Sequence, residues 1–99
     1  MSGEVIKLNY PEMERMAAQC IKAQQRLQDT VKLAQSISQD MQNGALVGDA
    51  GEAFTNALQQ AFIPAVNRLA DKFEEISKDI KLAISEMKTQ DKGAGNFFN

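Results

Sequence analysis

Of the side chains able to carry chemistry, this chain offers one thiol, Cys20, thirteen carboxylates, a close group of glycines and no imidazole. A cysteine nucleophile needs a base to hold its thiolate, and without a histidine Cys20 has none. Its spacing from Met13, Leu27, Ala34 and Met41 makes it a small packing residue on one face of a helix. The carboxylates Asp71, Glu74, Glu75 and Asp79 are close in sequence, but Lys72 and Lys78 stand between them, the pattern of a solvated face rather than a metal site. Gly44, Gly48 and Gly51 could be mistaken for a phosphate-cradling loop, yet such loops follow a buried β-strand. Here they follow a stretch rich in Gln, Lys and Ala and therefore mark a turn. The expectation is a chain that is not an enzyme, with no catalytic residue, metal site, cofactor or small-molecule substrate, and that acts by binding other proteins.

The elements that would position such binding are two long helices. Asn9 followed three residues later by Glu12, with Pro11 between them, predicts a capped start to a helix over about residues 9–42. Its heptad files are Met13, Cys20, Leu27, Ala34 and Met41 on one line and Met16, Ala23, Thr30 and Ile37 on the other. A turn over 43–49 follows. Asp49, with Glu52 reaching back, is the expected cap of a second helix over about 50–92. Its seam reads Phe54, Leu58, Phe62, Val66, Leu69, Phe73, Ile76, Ile80, Ala83 and Met87. Pro64 falls inside that pattern without interrupting its phase, which predicts a kinked but continuous helix. Gly93 and Gly95 end it, leaving a flexible tail over 93–99.

Composition narrows the partners. With 43% hydrophobic and 24% charged residues the chain lies in the range of ordinary globular proteins, away from disorder and membrane spans. Eleven basic residues interleave with thirteen acidic ones for a net charge of −2, so no basic stripe exists to hold nucleic acid or an anionic membrane. The segment Met1 to Leu8 lacks the basic start and apolar run of a general secretory signal, so any export is expected to use another route. One cysteine excludes an intrachain disulfide.

Two rods in contact share a single seam, and one seam is not a core. The fold class expected is therefore all-α, one domain over residues 1–99, an antiparallel helical hairpin that pairs into a four-helix bundle dimer. Ile21, Leu33, Ile63 and Leu82 fall outside the heptad files and are the candidate dimer contacts. At the other end, Phe97 and Phe98 on the tail are candidates for docking on a partner or a transport receptor, or for folding back on their own helix.

The hinge sequence Leu46-Val47-Gly48-Asp49-Ala50, with Phe54 four residues further on, resembles the Trp-x-Gly-x-Ala…Phe signature of the WXG family. The likeness covers nearly the whole chain and assigns Leu46, Gly48, Ala50 and Phe54 to the hinge motif. Leu46 stands where the signature has tryptophan, and the chain contains no tryptophan. Nothing after Glu86 matches the Tyr-x-x-x-Asp/Glu sequence that many family pairs carry, whereas Pro64 and Asn96-Phe97 resemble a homodimeric branch. What the resemblance implies is a leaderless protein secreted without a cleavable signal peptide, exported as a folded dimer by a type VII (Esx) secretion system. Its partners would be itself or a paralogous WXG-like chain, and the secretion machinery. Two rival readings are an intracellular targeting chaperone that covers the helical domain of a larger exported effector or toxin, and a coiled-coil adaptor unrelated to secretion.

Overall fold

The computed structural model describes residues 9–45 and 48–98. Among them there is no strand: α1 (Tyr10–Asp40), a wide turn over Met41–Ala45, α2 (Asp49–Asn56), a π-turn over Ala57–Phe62, and α3 (Ile63–Phe98) form an antiparallel helical hairpin. The expected all-α hairpin with two long helices is the fold observed.

The first helix starts as its sequence requires. Asn9 Oδ1 accepts a hydrogen bond from the Glu12 amide at 3.2 Å, and Pro11 occupies the first turn, where a missing N–H costs nothing. Glu12 does not return the bond but pairs with Arg15 at 2.6 Å. The second helix departs from expectation. Asp49 is its first residue rather than its cap; Gly48 holds the cap position, and no side chain caps it. Asp49 and Glu52 lie in the first turn, where their charges face the positive end of the helix dipole.

The corner itself is made by two glycines of positive φ, Gly44 at 101° and Gly48 at 86°. Gly48, with ψ of −163°, occupies a region open almost only to glycine. A Cβ at either position would meet nothing within 4 Å, so a substitution is resisted by the backbone alone. Gly48→Ala is expected to cost about 1–3 kcal/mol, read as a lowered denaturant midpoint with an unchanged slope.

The helices do not meet along the line marked by their largest apolar residues. On α1 the file Met13, Cys20, Leu27, Ala34 and Met41 faces inward as expected, half-buried or buried. Of the second expected file, Met16 and Thr30 are exposed and Ala23 and Ile37 half-buried, whereas the file a residue later, Ala17, Gln24, Val31 and Ser38, is buried throughout. On the second rod Val66, Phe73, Ile80 and Met87 keep their inward place. Phe62, Leu69 and Ile76 yield to Ile63, Ala70, Ser77 and Ile84, the last three buried. The reason is distance: small side chains let two helix axes approach closely, and the largest fully buried side chains here are Ser38 and Ser77. Ser77 Oγ donates to the Ala17 carbonyl at 3.1 Å, Gln59 Nε2 donates to Ser38 Oγ at 2.8 Å, and Gln24 Nε2 donates to Glu74 Oε2 at 2.6 Å. Every buried side-chain polar atom among the described residues has a hydrogen-bond partner, so the small, polar seam leaves none of them unsatisfied.

Pro64 changes the phase of the helix that contains it. An α-turn there would press the proline ring on the Gln60 carbonyl. The turn widens instead, and the Ile63 amide donates to the Leu58 carbonyl, five residues back. The helix is continuous, as expected, but the turn takes up one extra residue. Its seam runs Gly51, Thr55, Leu58 and then Ile63, Val66, Ala70. At its far end α3 continues to Phe98, past Gly93 and Gly95, where the sequence places a helix end near Lys92 and a flexible tail. Interior glycines each cost a helix only about 1 kcal/mol.

The result is long and thin, 74 × 25 × 16 Å with a radius of gyration of 21.9 Å, against ~13 Å for a compact domain of about a hundred residues. Its accessible surface is 7669 Å², where a compact monomer of its mass would expose roughly 5,600 Å².

Candidate interaction surface

The phase of the seam decides what the hairpin shows to solvent. In an antiparallel pair the residues just before each seam position line one flank, and those just after line the other. The first flank carries Met16, Ala23, Thr30 and Ile37 of α1 and Phe54, Phe62, Leu69, Ile76 and Ala83 of the second rod. Met16 is 50% exposed, Leu69 49%, Phe54 and Ile76 45%, and Phe62 43%. A groove on this side, of about 500 Å³, is floored by Ala23, Leu27 and Phe73 and edged by Lys22 and Arg26. The other flank is polar: Gln28, Gln35 and Asn67 line a second groove there. Toward the start of α1, Lys88 reaches Glu14 at 3.2 Å and lies 5.5 Å from the ring centroid of Tyr10. Both flanks meet solvent, but only the first does so with large apolar side chains.

The four residues expected as dimer contacts do not share a surface. Ile63 and Ile21 are half-buried, the first in the seam and the second at the polar flank. Leu33 and Leu82 are 62% and 59% exposed, at helical positions well away from the seam. Part of the seam expected from the sequence, Met16, Phe54, Phe62, Leu69 and Ile76, is what the hairpin leaves outside. The signal that would have found them is the complementary file of small residues, Ala17, Ala70 and Ser77, which periodicity of large apolar residues does not detect.

Of the hinge motif, Gly48 and Ala50 are exposed, Phe54 heads the apolar flank, and Leu46 lies outside the described residues. Beside the corner is a cleft of about 420 Å³ lined by Met41, Gln42, Gly51, Thr55, Asn56 and Gln59 among others. Three of its six side chains, Gln42, Asn56 and Gln59, are amides, and Glu52 is the only ionisable group among its lining residues. From residue 91 onward, side chains lie outside the described residues, Phe97 and Phe98 among them.

Two carboxylates on the second rod, Glu74 and Glu75, are engaged in helix and hairpin contacts. Glu75 pairs with Lys72 at 3.2 Å. Glu74 accepts from Gln24 and from Lys78, the latter at 3.1 Å, and these two partners, Gln24 first, hold its carboxyl below the ordinary carboxylate pKa. Because the folded state has the lower value, ionised Glu74 favours folding at neutral pH. That contribution disappears as pH falls through the carboxylate range. Glu74→Gln is therefore expected to flatten the loss of thermal stability between about pH 5 and pH 3, measured by melting curves across that interval.

Among the described residues no helix is long and apolar enough to cross a membrane. A family model, WXG100, described as proteins of 100 residues with WXG, matches residues 5–92. No curated protein matches the chain, and no solved structure does.

Proposed function

The chain belongs to the WXG100 family, and from that premise we propose that it is a substrate of a type VII (Esx) secretion system, exported as a folded pair of hairpins and acting by protein–protein binding. The observation that carries this reading is the apolar flank. Phe54, Phe62, Leu69 and Ile76 stand in one file on the hairpin, and among the described residues no further element covers them. Contiguous apolar surface of this kind on a soluble protein marks an interaction site. A second hairpin laid flank to flank would bury it in a four-helix bundle with an isologous interface.

In this account the hinge motif and the neighbouring amide-lined cleft present the corner to the secretion machinery, and residues after Lys92, with Phe97 and Phe98, form the handle it grips. The test joins two measurements. Native mass should give twice the chain mass for the purified protein. Export from a cell carrying the type VII membrane ATPase should stop when that ATPase is deleted, and should also stop for a chain ending at Lys92 that still folds and pairs. A stoichiometric complex with a larger helical protein, retained in the cell, would replace this reading with that of a targeting chaperone.

A further inference from the structure

The π-turn ahead of Pro64 decides which residues that flank contains. In a regular α-helix the file through Phe54 would continue to Ala61, Arg68 and Glu75, a polar line. With one residue added in the turn it continues to Phe62, Leu69 and Ile76 instead. The seam shows the same correction, since Leu58 and Ile63 are five residues apart, yet both point toward α1 and are half-buried. The turn is also tied to the first helix, because Gln59 within it donates to the buried Ser38 hydroxyl.

The sequence contains a second seam that needs no extra residue. Thr55, Leu58, Phe62, Val66, Leu69, Phe73, Ile76 and Ile80 follow one another in steps of three and four. They could close on Met16, Cys20, Ala23, Leu27, Thr30 and Ile37 of α1. The two arrangements share the files through Cys20 and Phe73 and differ by a rotation of each helix of one file. In the first the large apolar residues face outward, as the structure has them. In the second they would face in and Ala17, Ala70 and Ser77 out.

We propose that Pro64 and its π-turn are a register lock that holds the hairpin in the apolar-face-out arrangement. The mechanism is steric. The regular α-turn that the second arrangement requires is the one that brings the Pro64 ring onto the Gln60 carbonyl. Replacing the proline removes that barrier, and the burial of Phe62, Leu69 and Ile76 then favours the inward register. The lock's use in presenting a pairing surface rests on the function proposed above; the lock itself is a property of one chain.

The test uses the full chain with Cys20→Ser and a single reporter, Ser77→Cys, whose parent side chain is 1% exposed. Thiol labelling should be slow with Pro64 present. Pro64→Ala should accelerate it by about tenfold or more while the helical circular dichroism is retained. Deleting Gln60 from the Pro64→Ala chain removes the extra residue, so a regular helix again fits the small-residue seam, and labelling should return to the slow rate. Labelling that stays slow after Pro64→Ala overturns the proposal. So does acceleration that deletion of Gln60 fails to reverse, because loosening without a change of register would behave in that way. Since Ser77 is buried inside a single hairpin, the readout holds whether or not the chain pairs, and failure of pairing is distinguishable from failure of the lock.

Discussion

Leu69→Asp is expected to prevent the proposed pairing of hairpins without unfolding them. Leu69 is 49% exposed in the single hairpin, and its neighbours in the file, Phe62 and Ile76, are equally uncovered. An aspartate there therefore keeps its hydration in the monomer and costs the fold little, within about 1 kcal/mol. In the pair it stands in the middle of the buried flank. Because about half of each leucine is already covered in the single hairpin, each copy loses about 0.7–1.5 kcal/mol of burial, and a two-fold interface counts that loss twice. The added cost of desolvating two carboxylates takes the expected weakening beyond three orders of magnitude in dissociation constant. Sedimentation equilibrium over a concentration series measures it, with circular dichroism recording the retained helices. Leu82→Asp is the control. Leu82 is more exposed than Leu69, at 59%, yet lies away from the flank, so pairing should be unchanged. Dissociation by Leu82→Asp with Leu69→Asp silent would move the interface to the opposite side of the rod.

This expectation arose only when the helix phase was known, which marks where the sequence ceased to be legible. Two helices, a corner at Gly44 to Gly48 and the Asn9 cap all follow from local chemistry, because glycine at positive φ, a capping side chain and a helical apolar period each act within a few residues. The WXG-like hinge was legible too, as a short motif. What periodicity could not resolve was which of two adjacent files enters the seam. Apolar pattern ranks Met16 over Ala17 and Ile76 over Ser77 by size, but contact between helix axes ranks them the other way, since a close approach admits only the smaller residue. The π-turn was hidden for a related reason. Pro64 announces a disturbance in the helix, but whether it is met by a bend or by an added residue depends on what each half packs against, here Gln24, Val31 and Ser38 of α1.

The same inversion gives the second large effect, at a residue that sequence pattern would assign to the surface. Between Ile76 and Lys78, with Lys72 and Asp79 nearby, Ser77 has the look of a solvated helix position, where leucine would be harmless or helpful to helix propensity. In the structure it is 1% exposed, and its hydroxyl donates across the seam to the Ala17 carbonyl at 3.1 Å. Leucine cannot occupy that space unless the helices separate, and separation also loosens Ala70 and Ile84, which are buried in the same seam file. Ser77→Leu is expected to destabilise the hairpin by about 2–3 kcal/mol, lowering the melting temperature by roughly 10–20 °C. Ser77→Ala separates the two contributions. It forfeits the hydrogen bond and leaves the spacing intact, and the Ala17 carbonyl keeps its bond within the helix, so the loss should stay near 1 kcal/mol. A small effect of leucine together with a large effect of alanine would mean that the hydroxyl, rather than the closeness of the two rods, sets the seam; the reverse order ties the exposure of the whole apolar flank to the size of one serine.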